Sequence, residues 1–233
     1  MPNGIAIPSS YPNEVLEGIN SIADAKTTLE NAKMGEISEE IRKHVKGDKL
    51  IMRSSSVFED TPDHQAYGLY KSEICAPDTL EKSLRNCFSA PFSNSVVNFK
   101  NDRGLPLIEG IPLLVQEYVV GEISGIIQTV NMHSRRQTEM LIEIVEGSCS
   151  LVTSGEGLPS CYTVNKADKE IKVLSERFAV KNKVIEQIAN AAQKLSSELK
   201  TEVDVEFTIE GEKLIILQAR PIAMPSLFKS EQK

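Results

Sequence analysis

Two alternating segments near the C-terminal end constrain the fold of this sequence most strongly. Residues 203–209 and 213–220 both alternate apolar and polar side chains, which is typical of strands with one buried and one polar face. The polar positions are Asp204, Glu206 and Thr208 in the first segment, then Gln218 and Arg220 in the second. The intervening residues 210–212 predict an antiparallel hairpin whose three-residue loop uses Gly211 in a left-handed conformation.

The polar face of this hairpin predicts a phosphate site. In that register Glu206 lies opposite Ile216 and diagonal to Gln218, about 7–8 Å between α-carbons, with Arg220 on the same face. A carboxylate and an amide oxygen suit Mg²⁺, which completes its octahedron with water and phosphate oxygens. A guanidinium beside them would hold a phosphoryl group. From the residues alone, an ordinary hairpin with one solvated face is the alternative.

Composition limits the class of protein. A chain of 233 residues that is 40% hydrophobic can bury a core as one large domain or as two lobes. Its net charge of −7 disfavours a nucleic-acid partner, since phosphate-backbone binding requires clustered Lys and Arg. A phosphate site in this chain is therefore expected to consist of a few neighbouring residues rather than an extended basic surface.

Cysteine usage and hydropathy suggest a cytoplasmic protein. The 4 cysteines form no C-x-x-C pair and are accompanied by only 3 histidines, which argues against a disulfide framework or structural zinc. The first residues show no signal-peptide pattern, and no run approaches the roughly 20 apolar residues of a membrane span. We expect no membrane partner.

Upstream patterns predict the remaining elements. Helical spacing marks residues 13–33, with Asn13 as a possible cap, and residues 177–199. Asp78 and Glu81 have capping-box spacing. Apolar runs predict strands at residues 50–52, 113–120, 126–130 and 140–145.

Three ordered motifs resemble one known family. Residues 204–222 (DVEFTIEGEKLIILQARPI), 50–62 (LIMRSSSVFEDTP) and 112–131 (PLLVQEYVVGEISGIIQTVN) are similar to motifs in the nucleotide-binding domain of phosphoenolpyruvate synthase, pyruvate phosphate dikinase and rifampin phosphotransferase. The resemblance implies an α+β ATP-grasp fold with two lobes of mainly antiparallel sheet flanked by helices. It places the N-terminal lobe at residues 1–111, the C-terminal lobe at 112–225 and a tail at 226–233. It also implies ATP and Mg²⁺ as ligands.

The resemblance carries phosphate-binding roles onto residues of the first lobe. Arg53 matches the phosphate-contacting arginine of R-S-S, although an ion pair with Glu59 or Asp60 is an alternative. Gly68 matches the glycine of a loop over the phosphates, Ser72 a family threonine, and Lys100 a second basic residue.

In the second lobe the resemblance assigns adenine, metal and catalytic roles. The backbone of Gln116, Glu117, Tyr118 and Val119 matches the segment that reads the adenine edge. Glu206 and Gln218 match the pair that binds the metal and ATP. Arg220 matches the catalytic arginine that stabilises charge during phosphoryl transfer.

The sequence also departs from the family pattern. The family's G-G-K segment, whose lysine contacts ATP phosphates, would precede the stretch matched by residues 2–8 and is absent. The family's G-L-G-E is replaced by residues 147–150 (GSCS), and its S-F-A-G loop reads QAYG at residues 65–68. None of His44, His64 and His133 lies in a phosphohistidine motif.

The resemblance therefore implies an ATP-dependent phosphotransferase (kinase) component. It would pass phosphate to a carrier histidine or a small acceptor, with a partner chain or domain that carries the phosphohistidine and the lysine segment. The alternative is a non-catalytic nucleotide-binding or regulatory module of the same fold. The acceptor, and which phosphate of ATP moves, stay open.

Overall fold

The computed structural model describes residues 1–56, 60–61, 64–65, 69–70 and 72–222. Within them the chain forms two compact units, one of residues 2–118 and one that begins at Val119. The units divide after Tyr118 rather than after residue 111, because the strand that ends at Glu117 pairs inside the first sheet. The expected tail at 226–233 lies outside the described residues.

The first unit is an antiparallel sheet covered by helices. Its sheet has the strand order β1-β6-β2-β5, and β3 and β4 form a separate pair. Strands β1 to β6 are Gly4–Ile7, Leu50–Ser54, Asp60–Thr61, His64–Gln65, Glu73–Cys75 and Leu113–Glu117. Helices α1 to α5 are Ser10–Val15, Ile22–Glu30, Gly35–His44, Leu80–Ser89 and Asn94–Asp102.

Alternation along β2 separates a core face from a polar face. Leu50 and Met52 are buried in the core with Leu84 and Phe88 of α4. The side chains of Ile51 and Arg53 therefore point to the other face of the sheet. The sequence delivers Arg53 to the end of a strand, as expected.

The single helix expected over residues 13–33 is in fact two helices. Gly18 takes a positive φ of 76°, which ends the first helical segment, and Ser21 then caps α2 by accepting a hydrogen bond from the Asp24 backbone N–H. Asn13 is not a helix cap, because its side-chain oxygen accepts the backbone N–H of Gly110 at 2.7 Å.

The capping box expected at Asp78 and Glu81 is not formed. The residue that flanks α4 is Thr79, whose side chain makes no capping hydrogen bond and instead donates to the Ala76 carbonyl oxygen. The helix itself is present and buries the expected apolar stripe. Core burial, rather than a cap, therefore determines its position.

The second unit is a six-stranded antiparallel sheet with order β10-β9-β8-β7-β11-β12. One long helix packs on one face of this sheet. Strands β7 to β12 are Ile123–Gln128, Glu139–Glu146, Ser160–Asn165, Ile171–Ser175, Val203–Glu210 and Lys213–Pro221. Helices α6 and α7 are Ser150–Thr153 and Asn182–Leu199, so α7 begins later than the predicted residue 177.

Both units combine helices with mainly antiparallel sheet, so the α+β class is confirmed. No helix in the described part of the chain is long and apolar enough to cross a membrane.

Candidate functional site

The terminal hairpin forms, but its predicted register is wrong. Glu210 pairs with Lys213, so the loop has two residues, Gly211 and Glu212, rather than three. An irregularity between Glu206 and Phe207 then places Glu206 opposite Gln218. Leu217 is the extra residue of this bulge, and it restores the pairing of even positions beyond it.

The bulge also changes which residues of β12 face the core. The alternation predicted Ile215 and Leu217 on the core face. Instead Leu214 and Ile216 pack against the core cluster beneath α7, and Ala219 beyond the bulge returns to it. A shift of one residue moves side chains to the opposite face of a strand, which is why the loop length mattered.

The corrected register brings the predicted residues closer than expected. Glu206 and Gln218 are direct cross-strand partners, and Asp204 and Arg220 are the next pair along the same face. Directly opposed residues have Cβ atoms about 4.5–5.5 Å apart. Two carboxylates, an amide and a guanidinium therefore form one polar group on β11 and β12.

Two carboxylates at this face, those of Asp204 and Glu143, were not predicted as site residues. The pKa of Asp204 is raised to about 6, mainly by burial and then by the negative charge of Glu206, with Arg220 acting in the opposite direction and Glu143 adding to the rise. Glu143 lies on β8, two strands from Glu206, with Ile126 of β7 between them. The sequence signal for Glu143 was that it is the single acidic residue inside the apolar run 140–145.

The close packing around Gly125 explains the Ser-Gly pair, residues 124–125, in the motif of residues 112–131. A β-carbon at this position would lie 2.1 Å from the Glu143 backbone oxygen and 2.9 Å from the ring of Phe207. The neighbouring Ser124 hydroxyl hydrogen-bonds the Thr208 hydroxyl at 2.8 Å. The motif thus holds β7 tightly between β8 and β11, the strands that carry Glu143 and Glu206.

The donor set of the hairpin fits a magnesium ion. Glu206 and Gln218 offer a carboxylate and an amide oxygen on adjacent strands, and Mg²⁺ commonly takes only one or two protein ligands. Within the described ranges no group of three or more His, Cys, Asp or Glu side chains forms a metal cage. A site here would therefore depend on phosphate oxygens and water for its other ligands.

The predicted residues of the first unit lie on different elements. Arg53 is partly buried at the end of β2, where it pairs with Leu114. Ser72 is exposed before β5. The structure does not describe Gly68, residues 66–67, Glu59 or the side chain of Asp60.

Lys100 is fully buried on α5. Its amino group has no hydrogen-bond partner among the described residues, and burial lowers its pKa while Glu109 opposes that shift. An unpaired buried ammonium is costly, so this position favours an incoming anion.

The segment 116–119 has most of its backbone donors engaged. The backbone N–H groups of Glu117 and Tyr118 donate to the carbonyl oxygens of Asn3 and Lys49, both at 3.0 Å. The side chain of Gln116 is buried on β6. If this segment binds the adenine edge, it would therefore do so through its backbone carbonyl groups and the backbone of Val119.

The residues that replace G-L-G-E still form a turn into a helix. Gly147 takes a φ of 80°, and its N–H donates to the Glu122 carbonyl oxygen. Cys149 is buried at the start of α6, and its thiol donates to the Gly125 carbonyl oxygen at 3.3 Å. In this chain the segment thus forms a turn into α6 without the family's glutamate.

Solved structures show distant likenesses. D-alanine-D-alanine ligase from Helicobacter pylori matches 99% of this chain and 53% of its own at a TM-score of 0.42 and 11% identity. The protein PH1788 from Pyrococcus horikoshii matches 94% of this chain and 92% of its own at a TM-score of 0.46 and 15% identity.

Curated relatives are longer than this chain. A probable phosphoenolpyruvate synthase of Methanocaldococcus jannaschii is 26% identical over 79% of this chain and 18% of its own length. The uncharacterized phosphotransferase YvkC of Bacillus subtilis is 26% identical over 74% of this chain and 24% of its own. The phosphoenolpyruvate synthase of Pyrococcus furiosus is 24% identical over 80% of this chain and 28% of its own. The chain thus spans only 18–28% of the length of these relatives.

A family match covers most of the sequence. Residues 21–177 and 170–233 match the family described as the pyruvate phosphate dikinase, AMP/ATP-binding domain. This match agrees with the resemblance of the three motifs and with the α+β class of both units. The chain therefore belongs to the pyruvate phosphate dikinase AMP/ATP-binding domain family.

Proposed function

We propose that this chain binds Mg·ATP and is the nucleotide-binding component of a phosphotransferase. The observation that carries the proposal is the polar group on β11 and β12, where Glu206 pairs with Gln218 and Asp204 pairs with Arg220. Membership of the pyruvate phosphate dikinase AMP/ATP-binding domain family supports ATP as the nucleotide.

Each residue of the hairpin has a distinct proposed role. Glu206 and Gln218 would hold Mg²⁺, which when bound neutralises charge on the phosphate oxygens. Arg220 would stabilise the charge of the transferring phosphoryl group through forked hydrogen bonds. Asp204 would fix the orientation of Arg220 from the opposite strand, since the two are register partners.

The first unit supplies further proposed phosphate and base contacts. Arg53 and the buried ammonium of Lys100 are proposed to bind phosphate oxygens. The Ser72 hydroxyl and the Gly68 backbone are proposed phosphate contacts, of which Gly68 lies outside the described residues. The carbonyl groups of Glu117 and Tyr118 are proposed to accept from the adenine amino group, because their N–H groups are already used.

The phosphoryl acceptor is proposed to be a carrier histidine or a small molecule. The much greater length of the relatives supports a partner chain or further domains that carry the phosphohistidine. A non-catalytic nucleotide-binding module is the second candidate, and the Ser148, Cys149 and Ser150 side chains in place of L-G-E favour it.

Isotope labelling separates these functions. The chain would be incubated with Mg²⁺, a carrier protein that contains a phosphohistidine domain, and ATP labelled differently in its β- and γ-phosphates. A phosphotransferase gives a labelled carrier, and the retained label identifies which phosphate moves. Binding of Mg·ATP by calorimetry without any transfer would favour the non-catalytic module. Absence of Mg·ATP binding would contradict both candidates.

A further inference from the structure

The loop between β11 and β12 is anchored from outside the hairpin. The backbone N–H of Gly211, in this loop, donates to the Glu122 carboxylate at 2.9 Å across 89 positions of sequence. Glu122 directly precedes β7 and belongs to the same unit as the hairpin. The hairpin carries Glu206 and Gln218, here called the metal-ligand pair. A residue outside the hairpin therefore holds the loop on which the pairing of its strands depends.

This contact satisfies a donor that the hairpin leaves free. In a two-residue loop the flanking residues, here Glu210 and Lys213, bond to each other, and the N–H groups of the loop residues have no partner in the ladder. Gly211 takes a φ of 60°, as at the first central position of a type II′ turn. The Glu122 carboxylate thus stabilises the two-residue form of the loop.

The main chain around Glu122 is itself fixed against β11. Its N–H donates to the Ile209 carbonyl oxygen, and its carbonyl oxygen accepts the N–H of Gly147, both at 2.9 Å. A β-carbon on Gly121 would lie 1.8 Å from the Ile209 oxygen, so only glycine allows so close an approach. The carboxylate therefore extends from a fixed point, and its bond to the loop orders only one side chain.

Thr208 fixes β11 between the loop and the bulge. Its hydroxyl donates to the Ile123 carbonyl oxygen at 3.2 Å and accepts the N–H of Gly121 at 2.8 Å. Because this hydroxyl has a single proton, the Ser124 hydroxyl 2.8 Å away donates to it. Thr208 is fully buried, so these bonds are made away from water. With β11 held against β7, a change of register in the hairpin is a movement of β12.

A movement of β12 by one residue would separate the metal-ligand pair. Pairing of Glu210 with Lys213 leads, beyond the bulge, to Glu206 opposite Gln218. If the loop lengthened to three residues and the bulge stayed, Glu206 would lie opposite Leu217, and Gln218 would move to the other face of the sheet. The form of the loop and the geometry of the pair are therefore linked through the register.

The anchoring carboxylate is held in its acceptor form. The backbone N–H of Glu122 itself, and then that of Gly211, lower the pKa of Glu122, while desolvation acts in the opposite direction. An ionised carboxylate only accepts hydrogen bonds, and bonds to a charged acceptor are stronger than neutral ones. The bond from Gly211 is therefore charge-assisted at neutral pH.

We propose that Glu122 is a positioning residue for the metal-ligand pair. Its carboxylate holds the β11–β12 loop in the two-residue form and thereby keeps Glu206 opposite Gln218. This inference rests on the proposed function, since the pair that Glu122 positions is the proposed site of Mg·ATP. Glu122 acts through the loop and not through contact with the metal or the nucleotide.

Three variants of the full chain test the inference. Glu122→Ala removes the acceptor, whereas Glu122→Gln keeps a side-chain oxygen of similar reach. Glu212→Ala removes a negative charge from an exposed position of the loop itself and is the matched control. The exchange rate of the Gly211 amide proton would be measured by NMR on the ligand-free protein. Calorimetry would give the Mg²⁺ concentration at which ATP binding is half-maximal.

In Glu122→Ala the Gly211 amide should exchange about threefold faster or more, because its charged acceptor is lost. The half-maximal Mg²⁺ concentration should rise about 3- to 10-fold, because the metal-ligand pair is no longer held in register. Glu122→Gln should lie close to wild type in both measurements, and Glu212→Ala should match wild type.

Three results would overturn the inference. An unchanged Gly211 exchange rate in Glu122→Ala would show that the carboxylate does not anchor the loop. Faster exchange with an unchanged Mg²⁺ requirement would show a structural contact without a positioning role. Equal impairment in Glu122→Gln and Glu122→Ala would assign the effect to charge instead of the hydrogen bond.

The measurements also separate this inference from the proposed function. If wild type does not bind Mg·ATP, the proposed function fails, whatever the exchange rate of Gly211 shows. If wild type binds Mg·ATP and Glu122→Ala binds it with the same Mg²⁺ requirement, the proposed function stands and only the positioning role of Glu122 fails.

Discussion

The two units present their charged groups in different ways. In the second unit Asp204, Glu206, Gln218 and Arg220 meet on one face of two hydrogen-bonded strands. In the first unit the phosphate-binding candidates lie on separate elements, and Lys100 is buried on a helix without a partner among the described residues.

This difference has a physical cause. Antiparallel register fixes the spacing of opposed side chains to within an ångström or so, whereas a strand residue and a helix residue are related only through packing. The second unit therefore holds a preorganised polar group. The raised pKa of Asp204 indicates the free-energy cost of holding its charge there. In the first unit the cost is the desolvation of a single ammonium.

The largest expected effect comes from Arg220. We expect Arg220→Ala to slow phosphoryl transfer by about 10³-fold or more, as for arginines that contact the transferring group, with a much smaller change in Mg·ATP affinity. Single-turnover ADP formation and calorimetry would measure the two quantities. Arg177→Ala, at an exposed position of the same unit, is the control and should behave as wild type.

Replacing two tightly packed glycines tests the rigidity of the two sheets. Gly125→Ala should destabilise the protein by about 3 kcal/mol, because the new methyl group would lie 2.1 Å from the Glu143 backbone oxygen in an interior strand. Gly4→Ala also meets backbone, at 2.7 Å from the Val115 oxygen, but β1 is an edge strand that can shift, so about 1 kcal/mol is expected. Urea unfolding would compare them, and equal losses would contradict the difference.

Asp204 predicts a pH dependence of stability. Its pKa rises from 3.8 to about 6 on folding, so wild-type stability falls as the pH increases from about 4 to 6 and is level above. Asp204→Asn should therefore raise the free energy of unfolding by roughly 2 kcal/mol at pH 8, less than the full shift because a contact with Arg220 is lost. At pH 3, below both the folded and the unfolded pKa of Asp204, the two proteins should be about equally stable. A gain that is the same at both pH values would show that Asp204 is not strained by its charge.

Lys100 predicts the smallest effect, with the opposite pH dependence. Burial lowers its pKa, so the wild-type protein gains stability as the pH rises toward the pKa of an unfolded lysine. Lys100→Met should stabilise the protein by about 1 kcal/mol at pH 7 and by less at pH 10, while weakening ATP binding. Thermal unfolding at both pH values would measure this, with exposed Lys82→Met as the control in the same unit. Destabilisation by Lys100→Met would mean that the ammonium already has a partner.

The sequence predicted the hairpin and its polar face but not its register. The alternation at residues 203–209 is a local signal, and it was read correctly. Loop length and the bulge at Leu217 depend on how β12 meets β11 along its whole length, and no local pattern encodes that. Even positions still pair with even positions because the shifts in the loop and at the bulge, one residue each, add up to two residues at Glu206 and Gln218.

Other parts of the site depended on non-local packing and could not be predicted. Glu143 looked like one polar residue in an apolar strand, and its place beside the hairpin face follows only from the strand order β8-β7-β11. The burial of Lys100 likewise depends on tertiary contacts, since charged residues at the end of an amphipathic helix are usually solvated. The roles carried by Arg53, Ser72 and the segment 116–119 stay predictions.

Calorimetric titration of Mg·ATP into wild-type protein and Glu206→Gln tests the central claim most directly. The account predicts that wild type binds only when Mg²⁺ is present and that Glu206→Gln lowers the affinity roughly 10- to 100-fold, because a charged metal ligand opposite Gln218 is lost. Glu210→Gln, at the exposed end of the same strand, should bind as wild type. Equal Mg·ATP affinity in wild type and Glu206→Gln would contradict the assignment of this hairpin as the metal and phosphate site.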